Sequence, residues 1–222
     1  LPGSLNIGFS AARGDMYSWT SDDNYYKQNA IETMVSYLMQ NPDVGLVYTG
    51  FWFIDELGNT IRESNFLPPE TLTVMNPVGS CFLYRREVAE KIGQYDVNSL
   101  MVEDVDFWMR IYKLYKVALI KDRYYYHRLH GESLTGKNYG EYLAQRRLAA
   151  TSKKHFGLSW FRYQELLANA FIDEAFAAYQ KKDYRHVLPC ILNGTVRYPP
   201  WLAERGIYSI GIRSLVRLFH SS

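Results

Sequence analysis

The spacing of apolar positions changes character several times along the chain. From Val44 to Ile54 the run VGLVYTGFWFI is apolar or aromatic at nearly every position, which predicts a strand covered on both faces. Upstream, residues 16–20 form a short β-prone stretch that stops at Ser21, Asp22, Asp23 and Asn24, a turn composition. Between these two strands Ile31, Met34, Val35, Leu38 and Met39 recur at helical intervals, and QNPD ends the helix. After Ile54, DELGN predicts a turn and residues 60–62 the start of a returning strand. Residues 65–77 contain three prolines and predict a loop over the surface.

A second compact pattern follows. GSCFLYRR is strand-like and leads into a short helix, REVAEKIG, closed by Gly93. VEDVDFWMRIYKLY places Val105, Trp108, Ile111, Tyr112 and Tyr115 at helical spacing, and KVALI and RYYYHRLH predict two further strands. Beyond Gly140 the pattern is helical throughout, with amphipathic stretches near 141–155, 160–181, 184–197 and 201–219. The predicted organisation is therefore a mixed α/β domain over 1–136 and an all-α extension over 137–222. Within the extension, FAAYQKKDYRHVLPCILNGTVRYPPW resembles one tetratricopeptide-like hairpin. A single unit cannot bury its own face, so it is expected to be an appendage rather than a solenoid.

Composition narrows the function classes. With 222 residues, 47% hydrophobic, the chain can bury a substantial core. A net charge of only +2 gives no reason to expect a nucleic-acid partner. Two cysteines, Cys81 and Cys190, are too few for a disulfide framework and point to a reducing compartment. No apolar run approaches a membrane span, and LPGSLNIGFS lacks the features of a signal peptide, so a cytoplasmic protein is expected. Residues 205–217 hold three arginines and no acid among many apolar positions. That pattern suits either peripheral contact with the inner face of a membrane or a helix packed on the core, and Gly206 and Gly211 weaken the helix.

Three polar clusters could carry chemistry. Asp22 and Asp23 taken alone are explained first by a turn or helix cap; the functional alternative is a hard cation, which takes one or two carboxylates and completes its shell with phosphate and water. Glu103 and Asp104 open a predicted helix, where carboxylates complement the dipole. Asp104 also precedes Phe107 and Trp108, and desolvation by such neighbours raises a carboxyl pKa toward that of a useful base. His127 and His130 are three apart on an extended segment, hence on opposite faces, and do not share one metal.

Taken in order, LNIGFSAARGDMYSWTSDDNYY, NPVGSCFLYRREVAEKIGQYD, MVEDVDFWMRI and HRLHGESLT resemble glycosyltransferase family 2. The resemblance implies a type-A nucleotide-diphospho-sugar transferase fold, a Rossmann-like α/β sandwich. It implies a metal-dependent, inverting hexosyltransferase, with a nucleotide-sugar donor (UDP being the family's commonest nucleotide) and a glycan, lipid-linked or protein acceptor. The products would be polysaccharides or glycoconjugates. Asn6 and Gly8 fall on the family's N-x-G and are implied to be donor-binding. SDDN matches the acidic motif, so Asp23 is implied to coordinate Mn²⁺ or Mg²⁺ at the donor diphosphate and Asp22 to contact the ribose or the metal shell. Gly79 falls in the loop behind the donor sugar, Asp104 on the general base with Glu103 beside it, Arg128 near the diphosphate, and His130 near the metal. Two positions depart from the pattern: Ser21 stands at the first acidic position, and Leu5 where an arginine is common.

Family members carry a further N-terminal segment with most of the contacts to the nucleotide base. The expectation is an N-terminally truncated domain, with an exposed sheet edge that a homodimer could cover. The alternative reading is a non-catalytic, glycosyltransferase-like binding module.

Overall fold

The computed structural model describes residues 1–129 and 139–220, the side chain of the last excepted, and the chain divides into two compact units, Leu1–Leu134 and Thr135–Ser222. The first unit contains α1 (Pro2–Ala11), β1 (Met16–Tyr17), β2 (Tyr25–Tyr26), α2 (Ala30–Gln40), β3 (Val44–Ile54), β4 (Thr60–Glu63), β5 (Phe82–Arg85), α3 (Arg86–Ile92), α4 (Glu103–Leu114) and β6 (Lys116–Arg128). The strands form one sheet in the order β1-β5-β3-β6-β2, with β4 also paired to β3. Among the described residues only β3 and β6 run parallel, and every other pairing is antiparallel.

The two-sided apolar run of β3 lies at the centre of the sheet because helices cover both faces. On one face Met34 and Leu38 of α2 pack with Val44, Val47, Cys81, Leu83, Ala118 and Tyr125. Alternation along β5 sends Phe82 and Tyr84 to the other face. There Phe82 lies 4.5 Å from Trp108 of α4, Tyr84 lies 5.4 Å from Phe107, and Tyr95 stacks on Phe107 at 4.1 Å. Arg85 ties the first layer to the sheet by donating to the carbonyls of Val44 (2.9 Å), Leu38 (2.6 Å) and Asn41 (3.3 Å). Those carbonyls close α2 and open β3.

Three elements differ from the sequence expectation. KVALI and the RYYYHR part of RYYYHRLH form a single strand, β6, interrupted by a bulge: the partner of Thr49 is Ile120 but that of Gly50 is Arg123, which leaves the exposed Lys121 and Asp122 outside the ladder. Their polarity reads as a strand break in sequence. The loop at 65–77 contains a 3₁₀ turn, Pro69–Thr73. The helix α1 has no clear apolar period because Gly3 and Gly8 interrupt it and only Pro2 is buried. It is held by Phe9, whose ring lies 5.0 Å from Tyr17 and 6.0 Å from both Tyr84 and Tyr95. The strand β1 forms one edge of the sheet.

The second unit is helical: α5 (Gly140–Phe156), α6 (Trp160–Gln180), α7 (Tyr184–Arg197) and α8 (Arg205–His220). Ser159 caps α6 by accepting from Arg162 N at 3.2 Å. Ala175, Ala178, Val187, Cys190 and Ile210 form its core. A close crossing requires Gly194, where an added Cβ would lie 2.6 Å from Ile172. The predicted start of the last helix at 201 falls in a 3₁₀ turn, Pro199–Ala203. On α8, Ile207, Ile210 and Ser214 are buried while Tyr208, Ile212, Leu215 and Phe219 are exposed. Among the described residues, no helix is long and apolar enough to cross a membrane.

Arg85→Ala removes a charged donor from three carbonyls and is expected to destabilise the α/β unit by ~1.5–3 kcal/mol. Urea unfolding followed by tryptophan fluorescence should show a lower midpoint, with an unchanged slope.

Candidate functional site

Strand directions bring Asp22, Asp23, Gly79 and Arg128 to one end of the sheet. The chain leaves β1 into the acidic turn, β3 and β6 end there, and β5, antiparallel to β3, begins there just after Gly79 and Ser80. Such a carboxyl edge is where α/β proteins place ligands.

The acidic turn is pinned on several sides. Ser18 Oγ donates to the Phe82 carbonyl at 2.7 Å and lies 2.8 Å from the Tyr26 hydroxyl. Thr20 Oγ1 lies 2.6 Å from the Tyr125 hydroxyl. Asn24 N donates to the Ser21 carbonyl at 3.4 Å, and Asn24 Oδ1 accepts from Arg128 N at 2.7 Å. The Arg128 side chain donates from Nε to the Asp23 carbonyl (3.1 Å) and from Nη1 to the carbonyls of Asp55 (2.7 Å) and Glu56 (2.8 Å). Its charge therefore clamps the acidic turn to the β3–β4 turn, and charge-assisted bonds make that clamp strong. Asp22 is exposed and Asp23 half-buried. Two oxygen donors beside an open edge fit a hard cation, which needs few protein ligands. Among the described residues no third acid, histidine or cysteine completes a three-ligand cluster there.

Across the edge, Asp104 sits in the first turn of α4. Its Oδ1 accepts from Val105 N at 2.7 Å and its Oδ2 from Asn76 Nδ2 at 3.0 Å. Burial pushes its carboxyl up to about 6, with the Glu103 charge adding to the rise and the two hydrogen bonds opposing it. Glu103 is buried, and its Oε2 has no hydrogen-bond partner among the described residues.

Between the two carboxylate groups runs a hydrogen-bonded path that sequence reading does not reveal. Asn76 holds Asp104 with its amide nitrogen and accepts from Gly79 N at 3.3 Å with its oxygen. Ser80 Oγ lies 3.0 Å from His127 Nδ1, and His127 precedes Arg128 on β6. Gly79 has φ +62°, and a Cβ there would lie 2.5 Å from Phe51 Cε1, so glycine is required. Asn76, Ser80 and Asn24 are ordinary turn residues in sequence, and only their partners mark them.

The remaining predicted residues lie elsewhere. Asn6, on α1, uses both ends of its amide on the Tyr95 backbone, at 2.9 and 2.8 Å. Gly8 faces open space. A cavity of about 320 Å³ beside α1 and α3 includes Asn6 and Tyr95 but none of Asp22, Asp23 and Asp104. His130 lies outside the described residues.

Residues 1–93 match the family model described as glycosyl transferase family 2, a span that includes the acidic turn and Gly79 but stops before Glu103 and Asp104. An uncharacterized glycosyltransferase of Rickettsia conorii is 26% identical over 142 residues, covering 55% of this chain and 23% of the relative. One of Rickettsia typhi is 28% identical over 137 residues, covering 54% and 43%. The chain thus spans less than half the length of these curated relatives. Among solved structures, S. aureus TarS 1–349 in complex with UDP-GlcNAc superimposes with a TM-score of 0.53 at 13% identity, over 92% of this chain and 62% of that one. S. aureus TarS 1–349 alone gives 0.52 at 14% identity, over 96% and 68%. The chain is thus similar to glycosyltransferase family 2 over residues 1–93, and it shares the fold of these solved glycosyltransferase structures.

The raised Asp104 carboxyl has a stability consequence. Because the folded protein holds this proton more tightly than the unfolded chain, its contribution favours folding at low pH and fades as pH rises through about 6. Asp104→Asn should therefore gain stability relative to the parent protein between pH 4 and 7, measured as the difference in urea midpoints across that range.

Proposed function

We propose that this chain carries the catalytic acids of a metal-dependent glycosyltransferase that moves a sugar from a nucleotide-diphospho-sugar to an acceptor hydroxyl with inversion. The observation that carries the reading is the partly buried Asp104, its carboxyl pushed up to about 6 and held by Asn76 at 3.0 Å, at the sheet end that also bears Asp22 and Asp23. The complex of the structurally similar TarS with UDP-GlcNAc supports a UDP-sugar as donor. The acceptor is a glycan, lipid-linked or protein hydroxyl.

Asp23, with Asp22 beside it, would hold Mn²⁺ or Mg²⁺, whose chemistry is to neutralise charge on the departing diphosphate. Arg128 fixes the backbone that presents those carboxylates. Asp104, ionised above about pH 6, takes the proton of the acceptor hydroxyl at a carboxylate oxygen. The acceptor oxygen forms its bond to the anomeric carbon as the bond to the diphosphate oxygen breaks, so a single displacement inverts the centre. Glu103 supplies negative charge next to Asp104 and keeps its proton affinity high. Gly79 lets its loop pass directly against the Phe51 ring, where a Cβ would not fit.

Two measurements test this. Calorimetric titration with UDP should show binding that requires Mn²⁺ and weakens at least about tenfold, ~1.4 kcal/mol, in Asp23→Asn. Metal-independent binding, or none, would favour the non-catalytic module instead. Turnover of UDP-sugar should rise with pH through about 6, and Asp104→Asn should lose roughly 10²–10⁴-fold in rate while keeping nucleotide affinity.

A further inference from the structure

The α6–α7 hairpin carries three different donor types that the chemistry of the α/β unit does not use. Glu174 of α6 and His186 and Cys190 of α7 bring a carboxylate oxygen, an imidazole nitrogen and a sulfur within 4.8 Å of one another. His186 and Cys190 are four residues apart, so one helical turn puts them on the same face. Glu174 divides its oxygens: Oε2 pairs with Arg146 Nη1, and Oε1 lies 2.9 Å from His186 Nε2. Tyr139 stacks flat on the imidazole at 4.7 Å. Glu174 and Cys190 are buried, and His186 is partly exposed.

Arg146 pairs with one oxygen of Glu174, and the imidazole and the thiol both gather at the same carboxylate, His186 at 2.9 Å and Cys190 by a side-chain hydrogen bond. A mixed sulfur, nitrogen and oxygen set matches zinc, whereas Mg²⁺ and Mn²⁺ favour oxygen alone. Around a tetrahedral zinc with bonds of ~2.0–2.3 Å, donor atoms sit about 3.3–3.8 Å apart, within a small side-chain adjustment of the arrangement present. The outer partners are also in place: a ligating carboxylate and imidazole are normally oriented by neighbours, here Arg146 and Tyr139.

We infer that Glu174 Oε1, His186 Nε2 and Cys190 Sγ form a zinc site that staples α6 to α7, with water in the fourth position on the exposed His186 side. Binding breaks the His186–Glu174 hydrogen bond, leaves the imidazole neutral with its proton on Nδ1, forms the Zn–N, Zn–O and Zn–S bonds, and releases the Cys190 thiol proton to solvent. Burial otherwise pushes that thiol up to about 12, and the cation supplies the charge that offsets it.

Cobalt titration of the whole chain, followed by zinc competition, tests the site. One equivalent of Co²⁺ should give a thiolate-to-cobalt charge-transfer band that Zn²⁺ abolishes. Cys190→Ser should remove the band and Cys81→Ser should leave it, these being the two cysteines of the chain. His186→Gln should weaken binding by at least about tenfold, as loss of a direct ligand exceeds loss of an outer partner. Asp23→Asn should not change it, which separates this site from the acidic turn. Circular dichroism confirms that each variant is folded. Absence of a thiolate band in the folded parent protein, or its survival in Cys190→Ser, would overturn the assignment.

Discussion

The parallel pairing of β3 with β6 is the constraint on which the α/β unit depends. A parallel pair needs a long crossover and helices on both faces, and here the crossover passes through β4, β5, α3 and α4 before β6 returns beside β3. That return carries His127 and Arg128 to the end of the sheet where β3 finishes and β5 begins. The catalytic half of the proposed site is thus assembled by one long-range ladder. Without it, the acidic turn would lose the Arg128 clamp and the His127–Ser80 contact together.

The site shows how charge is used in two opposite ways. Arg128 is drawn into the structure by three backbone carbonyls, so its charge holds loops in place. Asp104 is placed where burial opposes ionisation, while two hydrogen bonds keep it aimed. Rigid support for one carboxylate pair and tuned proton affinity for another are what the proposed displacement would use. The Glu174 cluster of the helical unit differs in chemistry, since its sulfur and nitrogen donors suit a softer ion than the oxygen donors of the acidic turn.

Much of this was legible in the chain. The run Val44–Ile54 announced a strand covered on both faces, and the alternation of Phe82, Leu83 and Tyr84 serves two apolar layers. The helical spacing of 103–114 and the Gly93 stop are both present in the fold. Asp104 beside Phe107 and Trp108 suggested a raised proton affinity, and burial supplies it. The misread places have a common cause. Lys121 and Asp122 looked like a break because a bulge exposes polar residues inside a continuous strand. The helix α1 was invisible because an aromatic cluster, not an amphipathic face, secures it.

Local pattern therefore determined the elements and the two-sided burial of the central strand, since each rests on periodicity within a few residues, while the choice of candidate acids came from the resemblance of four ordered blocks to a known family. Tertiary structure alone decided that Asn76 links Gly79 to Asp104, that Arg128 serves as a clamp, and that Asn6 is committed to the Tyr95 backbone. It also brought Glu174 to His186 and Cys190 across a hairpin. These are contacts between segments distant in sequence, and their partners are chosen by strand register and helix crossing, which no local window contains.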